Sequence, residues 1–388
     1  MFSGNLYSQS ILFDEPRILQ EQRARFPFAD SVGGRLVVIF QEPAESDENE
    51  LHLRVYTSEE GREWTDQGAF GGPVDFRETE PNIFSATVTP DDRVIVAVGE
   101  GDTRTAIYES SDRGESFSKI SEIDTAETSV SPIVSTGDDG GVVLFINQDD
   151  GARQRLFASA SPNGRSWSDF ELIESEDDLT LAFSPDHAST EGRDLVVFQG
   201  LATGGQATGY QLYAAESFDG GETWEPARRL TDFANPGTGD DPEAYDNQRP
   251  FVVTTDDGIY VTWERGYQRQ SARAFSARID PSMQAREIIQ VSPGLRSVGS
   301  PKIVAFNSER LFLWFEERAG SRQIILAEPD RLEFSTRVIS SIGGDSTIPL
   351  PVVHRDRLHV FWHNERDGAR GVAYLEPDQQ VNTPRLVG

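Results

Sequence analysis

Seven short polar turns, each followed by a burst of apolar residues, recur along this chain of 388 residues. The turns are Gly33-Gly34-Arg35, Asp91-Asp92-Arg93, Asp138-Asp139-Gly140, Glu191-Gly192-Arg193, Asp256-Asp257-Gly258, Ser308-Glu309-Arg310 and Arg355-Asp356-Arg357. The bursts begin at Leu36, Val94, Val142, Leu195, Ile259, Leu311 and Leu358, at separations of 58, 48, 53, 64, 52 and 47 residues. They are rich in aromatic and branched residues and too short for an average helix, so each predicts a buried strand after a hairpin turn.

A second apolar segment precedes each burst and begins at a proline: Pro27, Pro81, Pro132, Pro185, Pro250, Pro301 and Pro351. Proline at the start of a strand removes no ladder hydrogen bond. The remaining residues of each repeat accommodate two further strands, and four strands in about 50 residues are typical of a propeller blade. The sequence therefore predicts an all-β fold, a seven-bladed β-propeller of four-stranded antiparallel blades that forms a single domain over residues 1–388.

The two ends of the chain both contain a segment that resembles a fourth strand. Residues 15–19 (Glu-Pro-Arg-Ile-Leu) and residues 383–387 (Thr-Pro-Arg-Leu-Val) match the predicted fourth strand that starts at Thr336. The first of them precedes the first blade, so we expect the stretch 8–20 to pair with the last blade and close the ring. The C-terminal segment competes for the same edge.

Four copies of a polar hairpin motif lie in phase with the repeat. The fullest copy runs from Ser217 to Trp224 with the form Ser-x-Asp-x-Gly-x-Thr-Trp, and related copies begin at Ser58, Ser110 and Ser161. In such a turn, the Asp or Asn side chain accepts bonds from turn amides, glycine takes a positive φ and the aromatic residue packs between strands.

These hairpins resemble those of the Asp-box (BNR) repeat proteins, the sialidase-like propeller superfamily. The resemblance covers nearly the whole chain, with boxes in the first four repeats. It implies a propeller whose boxes lie on the face opposite the sialidase active site. Sialidases usually have six blades, so six is the alternative blade count.

Composition restricts the classes of partner. The chain has 65 acidic and 35 basic side chains and a net charge of −30. Binding to phosphates requires a basic surface, so neither nucleic acid nor an anionic membrane is expected as a partner. No apolar run reaches membrane-spanning length, so no membrane insertion is expected. The absence of cysteine excludes disulfides and thiolate metal sites.

Chain direction predicts which residues share one face of the propeller. The start of the first strand, the end of the second and the start of the third lie together on what we call the channel face. This face collects Arg25, Arg249, Glu42, Glu100, Gln148, Gln199, Glu264, Glu316 and His363. Arginines among carboxylates predict a site for an anion or a sugar; solvated loop charges are the alternative. His359 and His363 lack a third ligand, so no metal site and no cofactor are predicted.

The resemblance also implies roles for individual residues. The family places its first substrate-binding arginine in an Arg-Ile-Pro motif, and Arg25-Phe26-Pro27 stands at the equivalent place. Arg25 would then bind a carboxylate in a bidentate manner. The acid/base aspartate of the family lies in the loop after the second strand, where Asp47 is the candidate.

The other family positions remain open. Arg249, Arg265, Arg318 and Arg366 are all candidates for the two further arginines that the family requires. The family also has a nucleophilic tyrosine with a glutamate partner. The candidate pairs for it are Tyr245 with Glu243 and Tyr267 with Glu264. Two carboxylates would serve an ordinary glycosidase equally well.

Three functions of different classes follow. The first is a propeller that binds a carbohydrate or protein ligand on the channel face, or acts as a scaffold. The second is an exo-acting, sialidase-like glycoside hydrolase, and the third is a structural domain of a larger exported protein. We expect a monomer and, from the resemblance, an exported protein, although Met1 to Ser10 resemble no signal peptide.

Overall fold

The computed structural model describes residues 11–20, 24–44, 49–75, 82–101, 103–125, 129–149, 151–203, 209–233, 245–266, 270–329, 334–341 and 343–377. These residues are all-β and contain no helix. Accordingly, no helix in this part of the chain could span a membrane. The predicted all-β class is confirmed.

The strands follow one another along the chain at short intervals. The first half contains β1 (Arg17–Gln20), β2 (Arg25–Val32), β3 (Arg35–Pro43), β4 (Glu50–Ser58), β5 (Thr65–Asp75), β6 (Phe84–Val88), β7 (Val94–Gly99), β8 (Arg104–Ser110), β9 (Ser118–Asp124), β10 (Ser129–Thr136), β11 (Val142–Asp149), β12 (Gln154–Ser161), β13 (Glu171–Leu172) and β14 (Leu179–Thr190). The second half contains β15 (Arg193–Ala202), β16 (Gln211–Ser217), β17 (Arg228–Arg229), β18 (Asp246–Thr255), β19 (Gly258–Gly266), β20 (Arg273–Ile279), β21 (Ala285–Gln290), β22 (Val298–Phe306), β23 (Glu309–Arg318), β24 (Ser321–Pro329), β25 (Phe334–Val338), β26 (Asp345–His354), β27 (Arg357–Arg366) and β28 (Ala369–Leu375).

Consecutive strands pair in antiparallel groups of four, which we number from β2. Groups 1, 2, 5 and 6 are separate sheets: β2–β5, β6–β9, β18–β21 and β22–β25. Groups 3 (β10–β13) and 4 (β14–β17) belong to one sheet because a single parallel pair, Gln154 with Leu181, joins β12 to β14. The fourth strands of these two groups, β13 and β17, are only two residues long. The predicted apolar bursts form the second strand of every group.

The seventh group combines the two ends of the described chain. Strand β1 pairs antiparallel with β28, so the sheet order is β1-β28-β27-β26. Residues 17–20, within the stretch predicted to close the ring, therefore form the fourth strand of the last group. Residues 8–10, Pro81 and the competing C-terminal segment 383–387 lie outside the described residues.

Most of the apolar core lies between groups rather than within them. The described residues form seven buried clusters, and each cluster joins two consecutive groups. In one of them, Leu36 and Phe40 of group 1 pack with Phe361 and Tyr374 of group 7. The first strands of consecutive groups contact one another, and β26 of the last group contacts β2 of the first. Four-stranded sheets that pack in this manner are typical of a β-propeller.

The motif hairpins connect the third and fourth positions of groups 1 to 4. In the hairpin of group 4, the Asp219 carboxylate accepts bonds from the Thr223 N–H at 2.9 Å, the Thr223 hydroxyl at 2.6 Å and the Ser217 hydroxyl at 2.8 Å. The equivalent Asp112 of group 2 accepts the same three bonds. Gly61, Gly114, Gly164 and Gly221 all have positive φ, as predicted for this position.

Each hairpin also packs on the group before it. The Trp64 ring of group 1 lies 5.8 Å from Phe361 and 5.5 Å from Tyr374 of group 7. The Trp224 ring of group 4 lies 5.7 Å from Phe145 of group 3. These aromatic contacts join neighbouring groups on the face opposite the channel face, so the hairpins stabilise the stacking of the sheets.

Candidate functional site

A β-bulge with an unusual backbone conformation opens most of the first strands on the channel face. The residue before the proline has a positive φ at Phe26 (48°), Ser184 (53°), Arg249 (52°), Ser300 (50°) and Ile348 (54°). The strand register shifts at each of these points. Bulges redirect side chains and are common next to functional sites.

The described prolines lie inside the first strands rather than at their first residues, as Pro185 in β14 and Pro250 in β18 show, and in the last group the proline at the bulge is not the predicted one. Its register shift lies between Thr347 and Leu350, so the proline in the bulge is Pro349. The predicted Pro351 instead pairs with Val360 inside the strand. The sequence Pro-Leu-Pro offers two prolines, and only the bulge distinguishes between them.

Arg25 lies in a basic cluster where group 1 meets group 7. We call Arg25, Phe26, His363, Glu365 and Arg370 the Arg25 cluster. The Phe26 and His363 rings stack at a centroid distance of 6.3 Å. Arg370 Nε donates to Glu365 at 3.2 Å. The cluster thus brings two guanidinium groups and one carboxylate to the channel face.

The charges of the Arg25 cluster affect one another. Burial and the neighbouring Arg370 charge lower the pKa of Arg25, while Glu365 opposes this effect. Burial lowers the pKa of His363 to about 4, with contributions from Arg370 and Arg25. His363 is therefore neutral at pH 7, and the two arginines carry the positive charge of the cluster.

Arg249 and Glu264 form a second polar element of the channel face. Arg249 Nη1 donates to both carboxylate oxygens of Glu264, at 2.9 and 2.8 Å. The Arg249 backbone N–H donates to Gln199 Oε1 at 2.8 Å, which connects this residue to the preceding group. The Arg249 side chain is 54% exposed. It therefore presents a charge to solvent, with Glu264 already in place to orient it.

Three further side chains hold equivalent positions in the first strands of groups 4, 5 and 6, where each directly follows the proline of the bulge: Asp186, Phe251 and Lys302. Asp186 Oδ2 accepts the Val252 N–H at 2.6 Å, and Lys302 Nζ lies 4.0 Å from the Phe251 ring centroid. Burial raises the pKa of Asp186 and lowers that of Lys302, and the charge of each opposes the shift of the other. These three residues were not predicted as site residues from the sequence, although the sequence shows that each of them follows a proline of the repeat.

The other predicted channel-face carboxylates are engaged within their own sheets. Glu42 accepts from His52 Nε2 at 3.0 Å and from Arg54 Nη1 at 3.1 Å. Glu316 is 4% exposed and accepts from Arg318 Nε at 2.6 Å and Trp314 Nε1 at 3.2 Å. These pairs stabilise the ends of the second strands.

Arg265 and Tyr245 occupy the core rather than the surface, which contradicts a direct role for them in ligand binding or catalysis. Arg265 is 0% exposed, and its guanidinium carbon lies 4.5, 4.8 and 4.9 Å from the rings of Phe233, Tyr245 and Phe275. Its Nε donates to Asn247 Oδ1 at 2.8 Å. Tyr245 is 5% exposed and forms one wall of this aromatic cage. Both residues are structural.

The remaining predicted site residues are Arg366, Asp47, Glu243 and Tyr267. Arg366 is 67% exposed beside Asp367. Asp47, Glu243 and Tyr267 lie outside the described residues. Among the residues that are described, no three His, Asp or Glu side chains group in a way that could hold a metal ion.

Comparison with known proteins shows the fold. No family model matches the chain. No curated protein matches it either. Solved structures similar to it include a protein of unknown function from Dyadobacter fermentans, with 12% identity, a TM-score of 0.53 and coverage of 94% of this chain and 99% of that one. An α-L-arabinanase from Penicillium chrysogenum, complexed with arabinobiose, has 12% identity, a TM-score of 0.52 and coverage of 85% and 99%.

A third similar structure is a sialidase from Trypanosoma rangeli in complex with the inhibitor DANA. It has 12% identity and a TM-score of 0.51, and the match covers 92% of this chain and 55% of that one. At such identities the likeness defines the fold alone, a β-propeller, and function has to be argued from the site.

Proposed function

We propose that this protein binds a carbohydrate that carries a carboxylate, and that it does so on the channel face. The observation that supports this most directly is the Arg25 cluster, where two arginines meet on the surface of a chain with a net charge of −30. A planar guanidinium matches a carboxylate in a bidentate geometry. The exposed Arg249, held by Glu264, supplies further hydrogen bonds to the same face.

Binding accounts for the site better than hydrolysis does. A glycosidase needs two carboxyl groups that are free to act on the scissile bond. Glu42, Glu264 and Glu316 each accept bonds from neighbouring arginines instead. The propeller fold also hosts many functions, so its presence in an arabinanase and a sialidase does not decide between binding and catalysis. Hydrolase activity is therefore an outcome of the test below.

The architecture proposed for this function is a closed ring of seven blades with Asp-box hairpins in the first four. The seven inter-group clusters and the contact between β26 and β2 support this count. The hydrogen bonds of Asp112 and Asp219 support the Asp-box assignment. Ring closure would place the first-strand bulges around one mouth. A glycan ligand also fits the exported location and monomeric state that we propose.

Glycan-array binding and a fluorogenic sialoside assay test the proposal on the wild type, Arg25→Ala and Arg25→Lys. Arg286→Ala is the matched control, because it removes an arginine that lies outside the Arg25 cluster, on β21, where its side chain is 56% exposed and pairs with Asp280. We expect binding of acidic glycans without turnover in the wild type and in Arg286→Ala. Arg25→Ala should abolish binding, and Arg25→Lys should weaken it because an ammonium lacks the planar fork.

Other outcomes contradict the proposal in distinct ways. Turnover by the wild type that Arg25→Ala abolishes would establish a sialidase-like hydrolase. Acidic-glycan binding that survives Arg25→Ala would move the site elsewhere. No binding and no turnover by the wild type would leave the scaffold function.

A further inference from the structure

A cavity of about 370 Å³ opens between groups 3 and 4, away from the Arg25 cluster. One wall is the start of β12, with Arg153 and Arg155, and the other is the segment that connects β13 to β14. Strands β12 and β14 pair at a single position, Gln154 with Leu181, and the cavity lies beside this pair, with Gln154 and Ala182 in its lining. The starts of third and first strands lie on the channel face, so the cavity opens there. Its size lies in the lower range of ligand pockets.

The connecting segment is held in place by bonds to group 4. The Ala227 N–H donates to Glu174 O at 2.7 Å, and the Glu176 N–H donates to Ala227 O at 3.0 Å. The Tyr213 hydroxyl donates to Asp177 Oδ2 at 2.8 Å. Because these bonds fix the wall before any ligand arrives, binding would require little ordering of the protein.

The opposite wall is connected to the same segment by charge. Arg153 Nη1 and Nη2 donate to the two oxygens of Asp178, in a forked geometry. Both residues line the cavity, so the pair joins its two walls. Carboxylates and guanidinium groups therefore stand side by side, each already oriented.

The base of the cavity is apolar. Leu156, Leu172 and Leu179 line it, beneath a rim that carries both signs of charge. An anionic ligand is disfavoured because it would lie against the carboxylates of Asp177 and Asp178. An apolar ligand is disfavoured because it would remove the charged rim from water without offering it hydrogen-bond partners. A neutral polyhydroxylated ring satisfies both regions, because its C–H face covers leucines while its hydroxyls donate to carboxylates and accept from guanidinium groups.

We propose that this cavity is a second ligand site, which binds one neutral sugar unit. The inference goes beyond the acidic-sugar function, since it uses none of the residues of the Arg25 cluster. Together the two sites would suit a glycan that contains both acidic and neutral units.

The test is titration of the full chain with L-arabinose, D-xylose, D-galactose and D-mannose, followed by saturation-transfer NMR and calorimetry. Asp177→Asn keeps an acceptor for the Tyr213 hydroxyl and removes only the charge. Leu179→Trp fills the base. Asp169→Asn is the control, because Asp169 is exposed in the group 3 hairpin on the opposite face.

We expect at least one of the four sugars to bind the wild type and Asp169→Asn equally. Asp177→Asn should weaken binding roughly tenfold, as the loss of a charge-assisted hydrogen bond would, and Leu179→Trp should abolish it. No binding of any of these sugars would overturn the proposal. So would binding that both cavity variants leave unchanged, or binding of citrate that Asp177→Asn strengthens. The first site is tested separately, because acidic-glycan binding should be lost in Arg25→Ala and retained in the cavity variants.

Discussion

The ammonium group of Lys302 lies 4.0 Å from the centroid of the Phe251 ring. The two residues hold the same position in consecutive groups, and Asp186 holds it one group earlier. All three keep a small accessible area but are otherwise enclosed by protein. Lys302 thus gains a ring and a carboxylate in place of water, and Asp186 gains a cation.

Lys302→Met should leave the Asp186 carboxylate enclosed without its cation. We expect the free energy of unfolding to fall by on the order of 2 kcal/mol, and Asp186→Asn in the same chain to recover most of the loss. Urea unfolding of the single and double variants measures this. Lys119→Met is the control, because Lys119 is the only other lysine of the chain and its side chain, which pairs with Glu100 and Glu122, is 37% exposed. Equal losses of unfolding free energy in Lys302→Met and Lys119→Met would contradict the pairing of Lys302 with Asp186.

Asp30 should make stability depend on pH. Burial raises its pKa to about 6, and the Ser31 N–H, which donates to Oδ1 at 2.7 Å, opposes this only in part. The unfolded chain has a pKa near 4, so the folded state binds more protons between about pH 4 and 6. The contribution of Asp30 to stability is therefore complete below about pH 4 and is lost as the pH rises through 6.

Asp30→Asn should remove this loss. At about pH 7 we expect the variant to exceed the wild type in free energy of unfolding by on the order of 2 kcal/mol, and the difference should shrink as the pH falls towards 4. Thermal unfolding of both proteins across this range measures the difference. A difference that stays constant with pH would show that Asp30 does not titrate there.

Much of the fold could be predicted because it repeats. The burst that begins at Leu311 and the proline at position 301 recur in phase, and a period of this kind is visible without tertiary information. The two-residue strands β13 and β17 were not predictable in this way, since fourth strands have one neighbour and little apolar pattern. The choice between Pro349 and Pro351 likewise depends on strand register.

The site was predictable only in part. Chain direction places Arg25 and Arg249 on the channel face, but it cannot determine what surrounds a side chain. Glu264 and Arg265 are adjacent in β19 and therefore point to opposite faces of the sheet. The rings that enclose Arg265 come from separate segments, at 233, 245 and 275. An arginine in a core is rare, so a surface role was the natural prediction.

Arg265 and Arg249 should respond differently to the same substitution. Arg265→Lys removes the planar group that stacks on three rings and should lower the free energy of unfolding by on the order of 2 kcal/mol. Arg249→Lys alters a side chain that is 54% exposed and should change stability little but weaken acidic-glycan binding. Urea unfolding and array binding of both variants test this. A stable Arg265→Lys protein that loses binding would return Arg265 to the ligand site.

The hairpin glycines of group 4 allow backbone strain to be separated from packing between groups. Gly220 and Gly221 both have positive φ, 74° and 87°, so alanine is strained at either position. A Cβ at Gly221 would lie 2.6 Å from Val143 Cγ2 in group 3, whereas at Gly220 the nearest atom would be 3.8 Å away. We expect Gly220→Ala to cost about 1 kcal/mol and Gly221→Ala about 2 kcal/mol more, because only the latter forces the two groups apart.

Val143→Ala should itself destabilise the core, but combined with Gly221→Ala it should cost less than the sum of the two single changes. Urea unfolding of the four variants measures this coupling; strict additivity would mean that the hairpin does not press on the preceding group.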